Sequence, residues 1–183
     1  MFSLLKAYRR YDPATKSYLE IALLYPGVRA LMFHRAAHFA YRVNIPFLPR
    51  FIGEVSRFLT GIDIHPGARI GKNLIIDHGM GTVIGETSLI GDGVIIYQGV
   101  TLGGTNLQRV KRHPTLEDHV VVGAGAKVLG NIVIGEGSRI GANSVVVDDV
   151  PPNTTVAGVP ARVVGKGIKK GEELSHEKIK GPR

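Results

Sequence analysis

The chain has 183 residues, with 24 glycines, no cysteine, no tryptophan and a net charge of +8. That length suits one principal domain with a sizeable core, and the lack of cysteine excludes disulfides, thiolate metal sites and a cysteine nucleophile. Residues 1–60 hold nine basic and three acidic side chains whereas 61–166 hold nine of each; with no basic run interleaved with aromatics, the excess reads as a solvated helix surface, and no nucleic-acid partner is expected.

Residues 1–60 predict an N-terminal segment of short helices. Asp12-Pro13-Ala14-Thr15 has the form of a helix N-cap with proline at the first helical position, Pro26-Gly27 separates two apolar-periodic stretches, and Pro46 and Pro49 bound a third. The apolar segments between Tyr18 and Tyr41 are interrupted by Pro26, Arg29 and Arg35. Neither a membrane span nor a leader is expected, and a cytoplasmic location is the default.

At Gly61 the texture changes. Branched aliphatics recur every six residues at Ile64, Ile70 and Ile76, then at Ile84, Ile90, Ile96 and Leu102, then at Leu116, Val122, Val128, Ile134, Ile140 and Val146. Glycine follows seven of these thirteen, and a second small or apolar position recurs four residues after the aliphatic, as at Val94, Val100, Val120, Ala126, Ser138 and Ser144. Each hexapeptide thus offers two inward side chains on one short strand and then a turn. Three of them return the chain to its starting edge one strand spacing higher, so residues 61–166 predict a parallel β-helix of about eighteen residues per coil. Six residues are too few for a strand with a crossover helix, and strict heptads are absent. Periodicity leaves the hand of the coil open.

The repeat breaks twice. The step from Ile76 to Ile84 is eight residues and contains Asp77-His78-Gly79-Met80-Gly81; the step from Leu102 to Leu116 is fourteen, so a loop around Thr105 to Pro114 must protrude, carrying Arg109, Lys111, Arg112 and His113. An arbitrary basic loop is a solvated excursion, but here a second anomaly holds a carboxylate and an imidazole. Counting by coils places Asp63, fifteen residues before His78, on an adjacent coil near the same corner. A carboxylate there would fix the tautomer of His78 and make it a competent base for a hydroxyl group.

These motifs resemble the serine O-acetyltransferases, hexapeptide-repeat acyltransferases that acetylate serine as the first step of cysteine synthesis. The resemblance rests on Asp63-Ile64-His65-Pro66, Asp77-His78-Gly79, Gly85-Glu86-Thr87, Val100-Thr101-Leu102-Gly103-Gly104-Thr105, Arg112-His113-Pro114, Gly123-Ala124-Gly125-Ala126-Lys127 and Ala157-Gly158-Val159-Pro160-Ala161-Arg162, and it extends upstream to Asp12-Pro13. It implies a mainly β fold, a left-handed parallel β-helix preceded by a short α-helical segment. It also implies His78 as general base with Asp63 as its partner, Asp12 and Asp77 for the ammonium of L-serine, and Arg112 and His113 for its carboxylate. Asp12 retains its alternative reading as a helix cap. Acetyl-CoA is the implied co-substrate, with no permanently bound cofactor and no metal. Gly103, Gly104, Ala124 and Ala142 would let backbone approach its pantetheine arm, and Lys127, Arg162 and Lys166 are the cations for its phosphates, against a plain role as solubilising charge.

Further expectations follow from the resemblance: a homotrimer with sites shared between subunits, with a hexamer left open because only about sixty residues precede the prism, and L-cysteine as feedback inhibitor. Residues 167–183 are expected to be a flexible tail, and since they end in Lys180-Gly181-Pro182-Arg183 rather than isoleucine, a stable complex with O-acetylserine sulfhydrylase is not expected. The competing readings are a hexapeptide acetyltransferase for a sugar or antibiotic hydroxyl, a non-catalytic scaffold, and a γ-type carbonic anhydrase-like zinc protein built on His78, His113 and His119. Asp12, Asp77 and Arg112 suit a zwitterion better than a sugar, and His119 falls inside a resumed hexapeptide.

Overall fold

The computed structural model describes residues 2–166; the expected tail over 167–183, and the expectation about the sulfhydrylase drawn from its end, lie outside the described residues. Four helices come first: α1 (Phe2–Tyr11), α2 (Tyr18–Leu24), α3 (Pro26–Arg42) and α4 (Leu48–Thr60). Asp12 is not the N-cap that the sequence suggested. It terminates α1, its N–H donating to the Tyr8 carbonyl, because a residue before proline is disfavoured in helical conformation. The cap of α2 is Ser17, whose hydroxyl accepts the Glu20 N–H while the Glu20 carboxylate accepts the Lys16 N–H, a reciprocal arrangement that satisfies donors with no partner inside the helix. Pro26 does occupy the first turn of α3. Gly61, at φ +71, ends α4 in the left-handed conformation. Among the described residues no helix is long and apolar enough to cross a membrane.

From Asp63 the chain winds in coils of three short strands. The first coil holds β1 (Asp63–Ile64), β2 (Arg69–Ile70) and β3 (Ile75–Ile76); the second, β4 (Val83–Ile84), β5 (Leu89–Ile90) and β6 (Ile95–Ile96). The third holds β7 (Thr101–Gly103), β8 (Thr115–Leu116) and β9 (Val121–Val122), and the fourth β10 (Lys127–Leu129), β11 (Val133–Ile134) and β12 (Arg139–Ile140). A fifth, less regular coil has β13 (Val145–Val146) and β14 (Thr154–Gly158), after which β15 (Ala161–Lys166) folds back antiparallel on β14. The parallel ladders β1-β4-β7-β10-β13, β2-β5-β8-β11 and β3-β6-β9-β12-β14 form three faces of a prism, the parallel β-helix expected from the hexapeptides, with the left hand that the family resemblance implied.

Register locates the two breaks to the residue. Val83↔Thr101 and Lys127↔Val145 are steps of 18 on the first face, as the repeat demands. Asp63↔Val83 is a step of 20 and Thr101↔Lys127 a step of 26, so the insertions amount to two and eight residues, and both are extruded at corners without disturbing the ladders. Of the thirteen periodic aliphatics, twelve are buried and Ile70 is half-buried. Ser138 and Ser144, also inside, are satisfied by the last coil: the Ser138 hydroxyl donates to the Pro151 carbonyl at 2.7 Å and the Ser144 hydroxyl accepts the Gly158 N–H at 3.1 Å, which removes the cost of burying an unpartnered hydroxyl.

At the corner between the third and first faces, Gly81, Gly99, Gly125 and Asn143 stack in left-handed conformation, with φ between +56 and +74. Each of the last three donates its N–H to the coil before, to Met80, Gln98 and Ala124. Asn143 fits because its short polar side chain tolerates this region. One end of the prism is closed by the helices, α4 packing on β1 and α3 on β3, and the other end of the third face by β15.

Candidate active site

The first break opens between β3 and β4. The Gly79 N–H turns back to the Asp77 carbonyl at 2.6 Å, and His78 takes φ +57, an uncommon conformation for a residue with a side chain and one that clusters at functional sites. The result is an imidazole projecting from the prism, 76% exposed, with its Nε2 4.0 Å from Asp77 Oδ1. The helices reach this corner. Tyr11, the last residue of α1, donates its hydroxyl to Asp77 Oδ2 at 3.0 Å and lies 2.9 Å from the Tyr97 hydroxyl. Asp12 accepts the Tyr25 hydroxyl at 2.5 Å on one oxygen and the Ala14 N–H at 2.8 Å on the other. The Tyr25 bond, then the Ala14 N–H, with a smaller contribution from His78 nearby, holds the Asp12 carboxyl below the usual carboxylate range. Burial and the Asp12 carboxylate together push the Tyr25 phenol up to about 12. It is therefore a fixed donor at neutral pH.

Asp63 stands on β1 at the start of the first face, its partner across the ladder being Val83, five residues beyond His78. In the isolated chain the carboxylate in contact with the His78 ring is that of Asp77.

The second break returns to the prism on the other side of the first face, between β7 and β8. Arg112 is held there by Glu86 at 3.0 Å and by the Gln108 carbonyl at 3.0 Å. His113 is buried, 8% exposed, and packed so closely over Gly85 that a Cβ on that glycine would lie 2.0 Å from its ring. Burial lowers the pKa of His113, and the Arg112 and Lys111 charges add to the effect against Glu86. The pKa of His65, at the same corner of the first coil, is lowered by the same cause. This corner carries an excess of positive charge and a neutral imidazole.

The sequence-predicted residues therefore fall into two groups. Asp12, Asp77 and His78 converge at one corner, Arg112, His113 and Gly104 at another, and the strand from Thr82 to Gly85 separates them by about 13 Å of extended chain. His119 sits at a third corner, in the left-handed turn position at φ +59, so within one chain the three histidines of the zinc reading lie at three different corners. Ala124 and Ala142 belong to the His78 corner, where Ala142 covers Gly123. Lys127 turns its ammonium to the Gly99 carbonyl of the same corner. Gly103 lies on β7, where a Cβ would meet Leu129 at 2.9 Å. Arg162 and Lys166 are exposed on β15. Sequence reasoning did not single out Tyr11, Tyr25 or Tyr97, which look like ordinary helix and turn aromatics. It noted Glu86 and Thr87 only as part of a motif, though their place at the same corner as the long loop, one coil earlier, was the available signal.

A family signature described as bacterial transferase hexapeptide (six repeats) matches residues 113–148. The serine acetyltransferase of Synechococcus elongatus is 56% identical over 168 residues, 92% of this chain and 69% of the relative, and that of Bacillus subtilis is 54% identical over 172 residues, 93% and 79%. Among solved structures, the serine acetyltransferase of Neisseria gonorrhoeae in complex with serine superposes with a TM-score of 0.86 at 43% identity, covering 90% of this chain and 67% of that one. The serine acetyltransferase of Brucella abortus in complex with coenzyme A gives 0.88 at 41% identity, covering 92% and 68%. With identity above half across nine-tenths of its length, on a prism broken at the same motifs that suggested it, the chain belongs to the serine acetyltransferase family.

Proposed function

We propose that His78 is the general base through which this chain moves the acetyl group of acetyl-CoA to the hydroxyl of L-serine. The observation that carries the reading is the first break in the coil, which presents a solvent-facing imidazole between carboxylates anchored by tyrosines. His78 takes the hydroxyl proton as the serine oxygen attacks the thioester carbonyl. The tetrahedral intermediate then collapses, the C–S bond breaks and CoA leaves as thiolate to accept a proton, giving O-acetylserine without an acyl-enzyme. Asp12 and Asp77 hold the ammonium, Arg112 and His113 the carboxylate. Asp63 steadies the imidazolium once the site closes, since catalytic contacts are often loose before substrate binds.

Serine separates its two charges by a single carbon, so one molecule does not span both corners of one chain. The site is completed in a trimer whose chains turn their first faces to the threefold axis, the His78 corner of each meeting the Arg112 corner of the next. The column of small residues above His78, through Gly81, Gly99, Ala124 and Ala142, forms one wall of the groove for the pantetheine arm. Lys127, Arg162 and Lys166 supply charge for the phosphates. Cysteine has the same ammonium and carboxylate, competes for the same contacts and acts as feedback inhibitor. A cytoplasmic location fits a reaction fed by free serine and acetyl-CoA.

The test is CoA release from acetyl-CoA with serine, homoserine, sugars or no acceptor. Serine is expected to give the highest kcat/KM, and comparable turnover of a sugar would reject the assignment of the charged groups. A finer check is Tyr11→Phe, which removes the donor that positions Asp77. Hydrogen bonds to charged groups are worth about 1.5–3 kcal/mol, so the serine KM should rise about tenfold or more while the acetyl-CoA KM stays near its original value.

A further inference from the structure

We propose that Thr87 is a positioning residue that locks His113 as the neutral tautomer protonated on Nε2, so that the ring offers the substrate carboxylate an uncharged N–H donor. The functional half of this inference rests on the reading of His113 as a carboxylate ligand; the tautomer itself rests on hydrogen-bond geometry alone.

Thr87 touches the end of the long loop four times. Its hydroxyl oxygen accepts the backbone N–H of Arg112 at 3.0 Å and that of His113 at 3.1 Å, which uses both lone pairs. The hydroxyl hydrogen is thereby directed at His113 Nδ1, 2.9 Å away. The backbone N–H of Thr87 points at the same Nδ1 at 3.2 Å. A backbone N–H has no alternative but to donate, so Nδ1 must be the acceptor and the ring proton sits on Nε2. Rotating the ring by half a turn would set a C–H against both donors and leave them without a partner, at the cost of an unsatisfied buried group.

Two further contacts make the arrangement stiff. The bare Cα of Gly85 fixes the depth of the ring, since a Cβ there would fall 2.2 Å from Nε2. Glu86, between Gly85 and Thr87, pairs with Arg112, so three consecutive residues of the second coil seize two consecutive residues of the loop. An imidazolium would need a hydrogen on Nδ1 facing the Thr87 N–H, and burial together with the charges of Arg112 and Lys111 opposes it further, against Glu86. Arg112 therefore supplies the charge for the substrate carboxylate and His113 the direction.

The experiment compares Thr87→Val, which keeps the shape and deletes the hydroxyl, with Thr87→Ser, which restores it. Nitrogen-15 NMR of the histidine rings in the full-length protein reads the tautomer. In the unaltered protein at neutral pH, His113 is expected to carry its proton on Nε2 alone; a proton on Nδ1, or an imidazolium, overturns the inference whatever the kinetics. Thr87→Val keeps the backbone N–H on Nδ1, so the ring proton should stay on Nε2, but it frees the ring and the Arg112 and His113 N–H groups from the hydroxyl and should raise the serine KM about tenfold or more, the loss of about one well-placed hydrogen bond, with the acetyl-CoA KM changed less than about twofold. Thr87→Ser should recover the serine KM to within about threefold. If the tautomer is as stated but His113→Ala leaves the serine KM unchanged, the carboxylate role of His113 fails and the functional half of the inference with it. If Thr87→Val does not fold, the spectrum of the unaltered protein and the serine variant still decide.

Discussion

Replacing His78 is expected to lower kcat by about 10²–10⁴-fold while the prism stays folded, the range that a positioned general base contributes. The side chain is three-quarters exposed, so its loss removes little packing. Its backbone, however, is at φ +57, where alanine costs about 1–2 kcal/mol and asparagine is tolerated. Two variants therefore separate chemistry from strain. His78→Asn keeps the turn and removes the base; His78→Ala removes the base and also strains the turn. If both lose turnover to a similar extent, with melting temperatures measured by circular dichroism close to that of the unaltered protein, the deficit is chemical. A rate for His78→Asn within about threefold of the original would mean that the proton leaves by another route.

A sharper result concerns the sharing of the site. His78→Ala and Arg112→Ala chains, each expected to be nearly inactive alone, should recover about a quarter of the original activity when co-expressed in equal amounts. In a closed ring each site takes its His78 corner from one chain and its Arg112 corner from the next. With random assembly, half of the first kind and half of the second are intact, and about one site in four has both. The measurement is turnover per chain of the whole unselected mixture; rings selected on two different tags contain both chains, so each has one intact site in three and should give about a third. Activity no higher than the sum of the single variants would place the whole site within one chain, and would contradict the separation of the two corners across the first face.

The prism was legible because its physics is local and repeated. Every sixth residue had to be a branched aliphatic to fill a triangular core, and twelve of the thirteen so identified are buried. Ile70 is the exception because it lies in the first coil of its face, where no earlier coil covers it. The breaks were legible for the same reason, as departures from a fixed period. The partners of the functional groups were not. Tyr11 reaches Asp77 across 66 residues and Tyr97 across 86, and nothing in a helical pattern distinguishes a tyrosine that will end beside a carboxylate from one that packs. The role first given to Asp12 as a helix cap failed on a local rule, since Pro13 ends the preceding helix more strongly than it begins another. Counting eighteen residues per coil put Asp63 and His78 near one corner, but it did not register that the two extra residues in that coil turn the His78 ring toward Asp77.

The closed ends of the prism bear on how the protein behaves at high concentration. A stack of parallel coils is a template for its own continuation: each unpaired ladder at either end would accept strands of another copy, and identical coils in identical register would extend it into a filament. Here α4 covers β1 and α3 covers β3 of the first coil, and β15 runs antiparallel on β14, exposing an edge whose direction no first coil matches. The two elements that least resemble the repeat are those that keep it finite, so the same hexapeptides that make so regular a core do not make a fibre.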